Sequence, residues 1–175
     1  PPPSPPATTP KGTRVDARFG RWLALLVAAA LVLRVAYVLV VERGDPLSGD
    51  GAYYHEAANL LADGLGFTEP YRYLHGGGQE LLFVDDPSAV LPTANTVLPV
   101  GHVEPTAGHP PLWVVVLGLF SALGLTGATA HQLVGAFVGA AGVAAVGWAG
   151  RSLDGPRTGL LAAGLATFHA CLWLN

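Results

Sequence analysis

Asp50 sits in the stretch SGDGAYYHEAANLLADGLG, residues 48–66, with Tyr53, Tyr54, His55 and Glu56 close behind it. A carboxylate so placed can accept a proton from an incoming hydroxyl, or bind a divalent cation, which prefers oxygen ligands. Its plain structural role would be to cap the helix that follows. His109 precedes Pro110, which biases it toward extended backbone, and it could serve as a hydrogen bonder or metal ligand beside Asp50. Arg34 lies inside an apolar run. A guanidinium there either snorkels toward headgroups or contacts an anion such as a lipid-linked phosphate. His75, His102 and Glu104 match no zinc-ligand spacing. Gly76, Gly77 and Gly78 lack the strand-to-helix context and following Gly-Lys of a phosphate cradle.

The composition says what must position these groups. Of 175 residues, 51% are hydrophobic and 12% charged; soluble domains carry about 25% charged residues. The apolar residues are clustered in long runs, as in a membrane protein. A net charge of −3, without a basic stripe interleaved with aromatics, speaks against a nucleic-acid partner. Cys171, the single cysteine, reads as a buried inert thiol. The chain contains no methionine and ends at FHACLWLN, inside an apolar segment, so it reads as the N-terminal part of a longer polytopic protein.

The expected architecture is an all-α, polytopic transmembrane helix bundle. Residues 1–21 should form a disordered, Pro-rich, basic cytoplasmic tail, with six prolines in the first ten positions and Lys11, Arg14, Arg18 and Arg21 after them. Residues 22–41 carry one charge and are long enough to cross about 30 Å of hydrocarbon. A signal peptide is the rival reading, but VERGD offers no small-residue cleavage site. The loop 42–109 has ten acidic residues and two arginines, and is expected outside the cytoplasm. Within it, Tyr54, Ala57, Ala58 and Leu61 have the spacing of an amphipathic helix over 51–63, ended by Gly64 or Gly66 and lying along the membrane surface. ELLFV, residues 80–84, could be a short strand or helical turn. Further spans are expected over 110–125, opened by Pro110 and Pro111, over 129–150, and from 159 to the end. Gly135 and Gly139 suggest close helix packing in the third span. Simple alternation puts Arg151 and Arg157 outside, against the positive-inside tendency.

The order of these features is similar to that in membrane glycosyltransferases of the C type: LRVAYVLV in the first span, then GDGAYYHEAANLLADGLGF, then HPPLW. It most resembles the dolichyl-phosphate-mannose protein mannosyltransferases and the aminoarabinose transferases of lipid A. The resemblance covers roughly residues 20–175. It implies a polyprenyl-phosphate sugar donor, an extracytoplasmic acceptor and an inverting transfer, with Asp50 as the loop aspartate. Tyr54 matches a tyrosine a few residues on, and His109–Leu112 the proline pair. The mannosyltransferases have an acidic pair where Asp50 is followed by Gly51, and the segment 72–108 has no counterpart. In this reading Arg34, Tyr53, Tyr54, Glu56 and His109 contact substrate, with a divalent cation as a possible cofactor. The alternatives are a transporter or channel subunit with Arg34 in its substrate path, and an assembly factor whose loop binds a partner.

Overall fold

The computed structural model describes residues 11–44, 47, 49–70, 90–92, 97–99, 105–106 and 108–169; side chains are described from residue 17 onward and outside 90–104. It is helical apart from one short ladder: α1 (Lys11–Val40), α2 (Gly49–Ala62), β1 (Val90–Pro92), β2 (Val97–Pro99), α3 (Pro111–Ala122) and α4 (Ala128–Phe168). The strands pair antiparallel, Leu91 opposite Leu98. The ELLFV segment and Cys171 lie outside the described residues.

The chain divides into two compact units, one of Pro1–Arg43 with Leu133–Leu174 and the other of Gly44–Gln132. The first is built from α1 and most of α4. Helix α1 begins at Lys11 rather than at Trp22, so the segment 11–21, expected as disordered tail, is helical. Gly12 and Gly20 are the residues there that disfavour a helix most, each by about 1 kcal/mol relative to Ala.

Helix α4 is two arms. Asp154 (φ −148°, ψ 32°) and Gly155 (φ 82°, ψ −177°) leave helical backbone, and Pro156 restarts the helix. The second arm folds back on the first at small residues. A Cβ on Gly159 would stand 2.5 Å from the Gly147 carbonyl oxygen, and one on Gly150 would stand 3.1 Å from Gly159 Cα. Only hydrogen side chains allow this approach. Helix α1 packs antiparallel to the first arm: Phe19 meets Trp148 edge-on at 5.4 Å, and a Cβ on Gly147 would touch Leu23. Phe19, Leu23, Ala30, Val143, Ala163 and Ala166 form the unit's core.

Around this thin core the surface is apolar. Trp22, Leu25, Val32, Val40, Phe137, Trp148, Leu161 and Leu165 are all exposed. A soluble bundle would bury such faces. Among the described residues two helices, Ala17–Val40 and Ala128–Phe168, are long and apolar enough to cross a membrane. The span expected over 110–125 is a helix of 12 residues, about 18 Å long at 1.5 Å per residue, too short to cross alone. Gly124 ends it, at φ 89°.

In the second unit α2 lies against α3. Tyr53, Ala57 and Val114 form the shared core with Tyr54 and Leu61 at its edge. Gly118 is another point of close approach: a Cβ there would lie 3.1 Å from Leu61. The apolar side of α2, expected on the membrane surface, is thus covered by α3. It is α3 that turns an apolar face outward, through Leu112, Val115 and Leu119. Helix α2 ends as a Schellman motif, with Leu65 N–H donating to Leu60 O (3.0 Å) and Gly64 at φ 85°.

Candidate functional site

Helical spacing sorts the polar residues of α2 into two sets. Asp50, Tyr53 and Tyr54 stand at i, i+3 and i+4, and share one face; His55 and Asn59, also four apart, share another.

The first set meets His109. Gly49 opens α2 in left-handed backbone, at φ 55°, and Asp50 stands within the first turn rather than capping it. A carboxylate there is favoured by the positive end of the helix dipole. His109 Nε2 lies 3.3 Å from Asp50 Oδ1, with the aspartate side chain 82% exposed and the histidine 27%. Tyr53 stacks on the imidazole, ring centroids 3.8 Å apart, and Tyr54 approaches it edge-on at 5.5 Å. Pro110 and Pro111 fix the chain direction where α3 begins, and so the point from which His109 projects.

His109 Nδ1 is buried and has no hydrogen-bond partner. A bare lone pair is less costly to bury than an N–H, so the ring proton belongs on Nε2, where it is donated to Asp50. The carboxylate is the solvent-facing member of the pair. Asp50 is thus the member that an incoming group can reach, and His109 holds the carboxylate from the protein side. Tyr53 is held in turn: burial pushes its phenol up, offset in part by the hydrogen bond it shares with the Thr106 hydroxyl oxygen. Thr106 also donates to Glu69 Oε2 (3.1 Å), and its backbone N–H to Phe67 O (2.9 Å). The Tyr54 phenol is raised by burial and by the nearby Asp50 carboxylate. Both phenols stay neutral near pH 7; Tyr53 is buried and engaged with Thr106, so the half-buried Tyr54 is the one that can donate a hydrogen bond to a ligand oxygen.

The second set joins α2 to α3 and the start of α4. Ser121 Oγ donates to Asn59 Oδ1 (2.8 Å), Asn59 Nδ2 donates to Thr126 O (3.2 Å), and Ser121 Oγ lies 2.9 Å from His131 Nε2. His131 Nδ1 lies 3.0 Å from His55 Nδ1, and His55 Nε2 is 3.7 Å from Glu56 Oε1. One donor direction is self-consistent for the three links from His55 to Asn59: His55 Nδ1–H to His131 Nδ1, His131 Nε2–H to Ser121, Ser121 to Asn59. Burial pushes the His55 imidazole down, opposed by Glu56. Glu56, expected beside Asp50, therefore belongs to this network. His131, Ser121 and Asn59 went unnoticed in the sequence, although a histidine within an apolar run is itself a signal.

Arg34 lies in the other unit. It is 2% exposed, donates from Nη1 to Ala30 O (3.1 Å), and borders an apolar cleft of about 380 Å³ with Leu33, Tyr37, Val41, Thr167 and Phe168. Burial this deep excludes snorkelling to solvent. Among the described residues no group of three His, Cys, Asp or Glu side chains could hold a metal ion, so Asp50 and His109 would need ligands from elsewhere to bind a divalent cation.

Set against family models, curated proteins and solved structures, the chain matches none of them.

Proposed function

We propose that this chain acts in a multi-pass membrane glycosyltransferase that moves a sugar from a polyprenyl-phosphate donor to an extracytoplasmic acceptor, with Asp50 as the base. The observation that carries this reading is the Asp50–His109 pair: an exposed carboxylate at a helix N-terminus, oriented by an imidazole clamped against Tyr53. It agrees with the resemblance in motif order. The exposed apolar face of α3 supports a place at the membrane interface, where the sugar of a lipid-phosphate donor would lie.

In the proposed step the acceptor hydroxyl gives its proton to Asp50 as its oxygen bonds to the anomeric carbon. The bond from that carbon to the phosphate oxygen breaks, and the electron pair leaves with the lipid phosphate. Phosphate needs little acid assistance to depart, so one oriented base suffices, and displacement from the opposite face inverts the centre. Tyr53, Tyr54 and His109 frame the carboxylate. Arg34 is assigned to lipid-phosphate binding on the strength of its buried charge in α1.

The test is sugar transfer by the full-length protein in membranes, from a pool of radiolabelled polyprenyl-phosphate sugars to endogenous acceptors. Wild type should transfer and Asp50→Asn should not, at equal protein level. Equal transfer by both would remove Asp50 from the chemistry.

A second reading, a transporter or channel subunit, draws on the buried Arg34 guanidinium beside an apolar cleft. It requires solute flux that Arg34→Gln abolishes and Asp50→Asn leaves intact.

A further inference from the structure

One end of the first unit gathers positive charge and aromatic rings. Arg18, Phe19 and Trp22 from α1, with Asp154, Pro156, Arg157 and Leu160 from the turn of α4, line a pocket of about 500 Å³. Arg151 lies over the Phe19 ring, 4.6 Å from its centroid, and 5.1 Å from that of Trp148. The one acidic group in the lining, Asp154, accepts a hydrogen bond from the Thr158 hydroxyl (2.9 Å). Among the described residues no ion pair engages Arg18 or Arg157, and both are exposed.

The pocket also decides the sidedness of the 151–158 turn. Arg18 belongs to the basic flank of α1 and Arg157 to that turn, and both line one cavity. The two basic groups are therefore at the same end of the unit. Antiparallel packing of α1 and the first arm of α4 requires this, and α3, at 12 residues, adds no crossing between them. Arg151 and Arg157 then obey the positive-inside tendency instead of violating it.

We infer that this pocket binds the headgroup of an anionic phospholipid in the cytoplasmic leaflet. The inference rests on the membrane reading and is independent of glycosyl transfer. Two guanidiniums suit a phosphodiester, which accepts paired N–H donors. Trp22 and Trp148 are exposed at the same end, as interfacial aromatics are. Phe19 and Leu160 give the lining an apolar portion against which the upper acyl chain can rest. A lipid arrives from the side, along the apolar outer faces of α1 and α4, so it reaches both the charged and the apolar parts of the lining.

The experiment uses the full-length protein released from nanodiscs of phosphatidylcholine containing a minor fraction of phosphatidylglycerol, with retained lipids counted by native mass spectrometry. Phosphatidylglycerol should be enriched roughly tenfold over its bulk fraction, given the attraction each arginine exerts on an anionic surface. Arg18→Gln/Arg157→Gln should lose the enrichment, Arg18→Lys/Arg157→Lys should keep most of it, and Arg43→Gln should not alter it. No enrichment in wild type, or enrichment unchanged in the double glutamine variant, would overturn the proposal. So would displacement of the lipid by millimolar inorganic phosphate, which would mark a site for the free anion.

Discussion

His109 Nε2 faces Asp50 Oδ1 at 3.3 Å while the other nitrogen of the same ring is buried without a partner. The two residues are 59 positions apart, and the pair exists because α2 and α3 pack through Tyr53, Ala57 and Val114. The asymmetry divides their roles. Asp50→Asn should reduce sugar transfer by roughly 10²- to 10⁴-fold, the range for loss of an acid–base group, with little effect on folding because the side chain is exposed. His109→Gln keeps a polar group but loses the ring that Tyr53 stacks on, and transfer should fall by roughly tenfold, less than in Asp50→Asn, through misplacement of the carboxylate. The check is transfer rate at matched protein level. A His109→Gln effect as large as that of Asp50→Asn would make the histidine a direct participant.

The site was half legible beforehand. The i, i+3, i+4 spacing of Asp50, Tyr53 and Tyr54 puts them on one helix face, and Pro110 marks the start of α3, so their joint approach to His109 needed only that the helices pack. Glu56 does not share that face: it lies near Asp50 in sequence but six positions on along the helix, beside His55. The His131–Ser121 link could not be read, since it depends on the tight turn at Gly124, which no local pattern specifies. In the fold, apolar run length overstated the length of the helix expected as a second span. Pro111 begins α3 late and Gly124 ends it early, whereas hydropathy extends smoothly through both.

The His55–His131 contact makes the second unit sensitive to acid. Burial holds the folded-state pKa of His55 below its unfolded value. The unfolded chain then binds more protons than the folded one as pH falls below about 6.5, so stability is full above that value and declines under it. Glu56, on the same helix, opposes the effect without cancelling it. Hydrogen exchange of α2 amides, corrected for intrinsic rate, should be faster at pH 5.5 than at pH 7.5. His55→Gln should flatten that difference; if the pH dependence survives the substitution, His55 is not its source.

The fold-back of α4 depends on the absence of side chains where its arms touch. Gly159→Ala would push a methyl to 2.5 Å from the Gly147 carbonyl oxygen, against backbone that cannot swing aside. The expected cost is about 1–3 kcal/mol, as for other overpacked interfaces. Gly164→Ala, on the same arm with nothing within 4 Å of the added carbon, should be neutral or stabilising by up to about 1 kcal/mol. Thermal unfolding of the purified protein in detergent separates the two. Equal melting temperatures would mean that the arms part easily.

The shared pocket of Arg18 and Arg157 requires the N-terminal flank and the Asp154 turn to face the same compartment. In a Cys171→Ala background, Ala17→Cys and Ser152→Cys should react with an impermeant maleimide from the same side of sealed vesicles. Asp63→Cys, reached only after α1 has crossed, should react from the opposite side. All three residues are exposed, so accessibility reports sidedness rather than burial. Labelling of Ser152→Cys from the side of Asp63→Cys would require a further crossing between α2 and α4. Helix α3 would then have to span despite its 12 residues, and the outward placement of Arg151 and Arg157 would be restored.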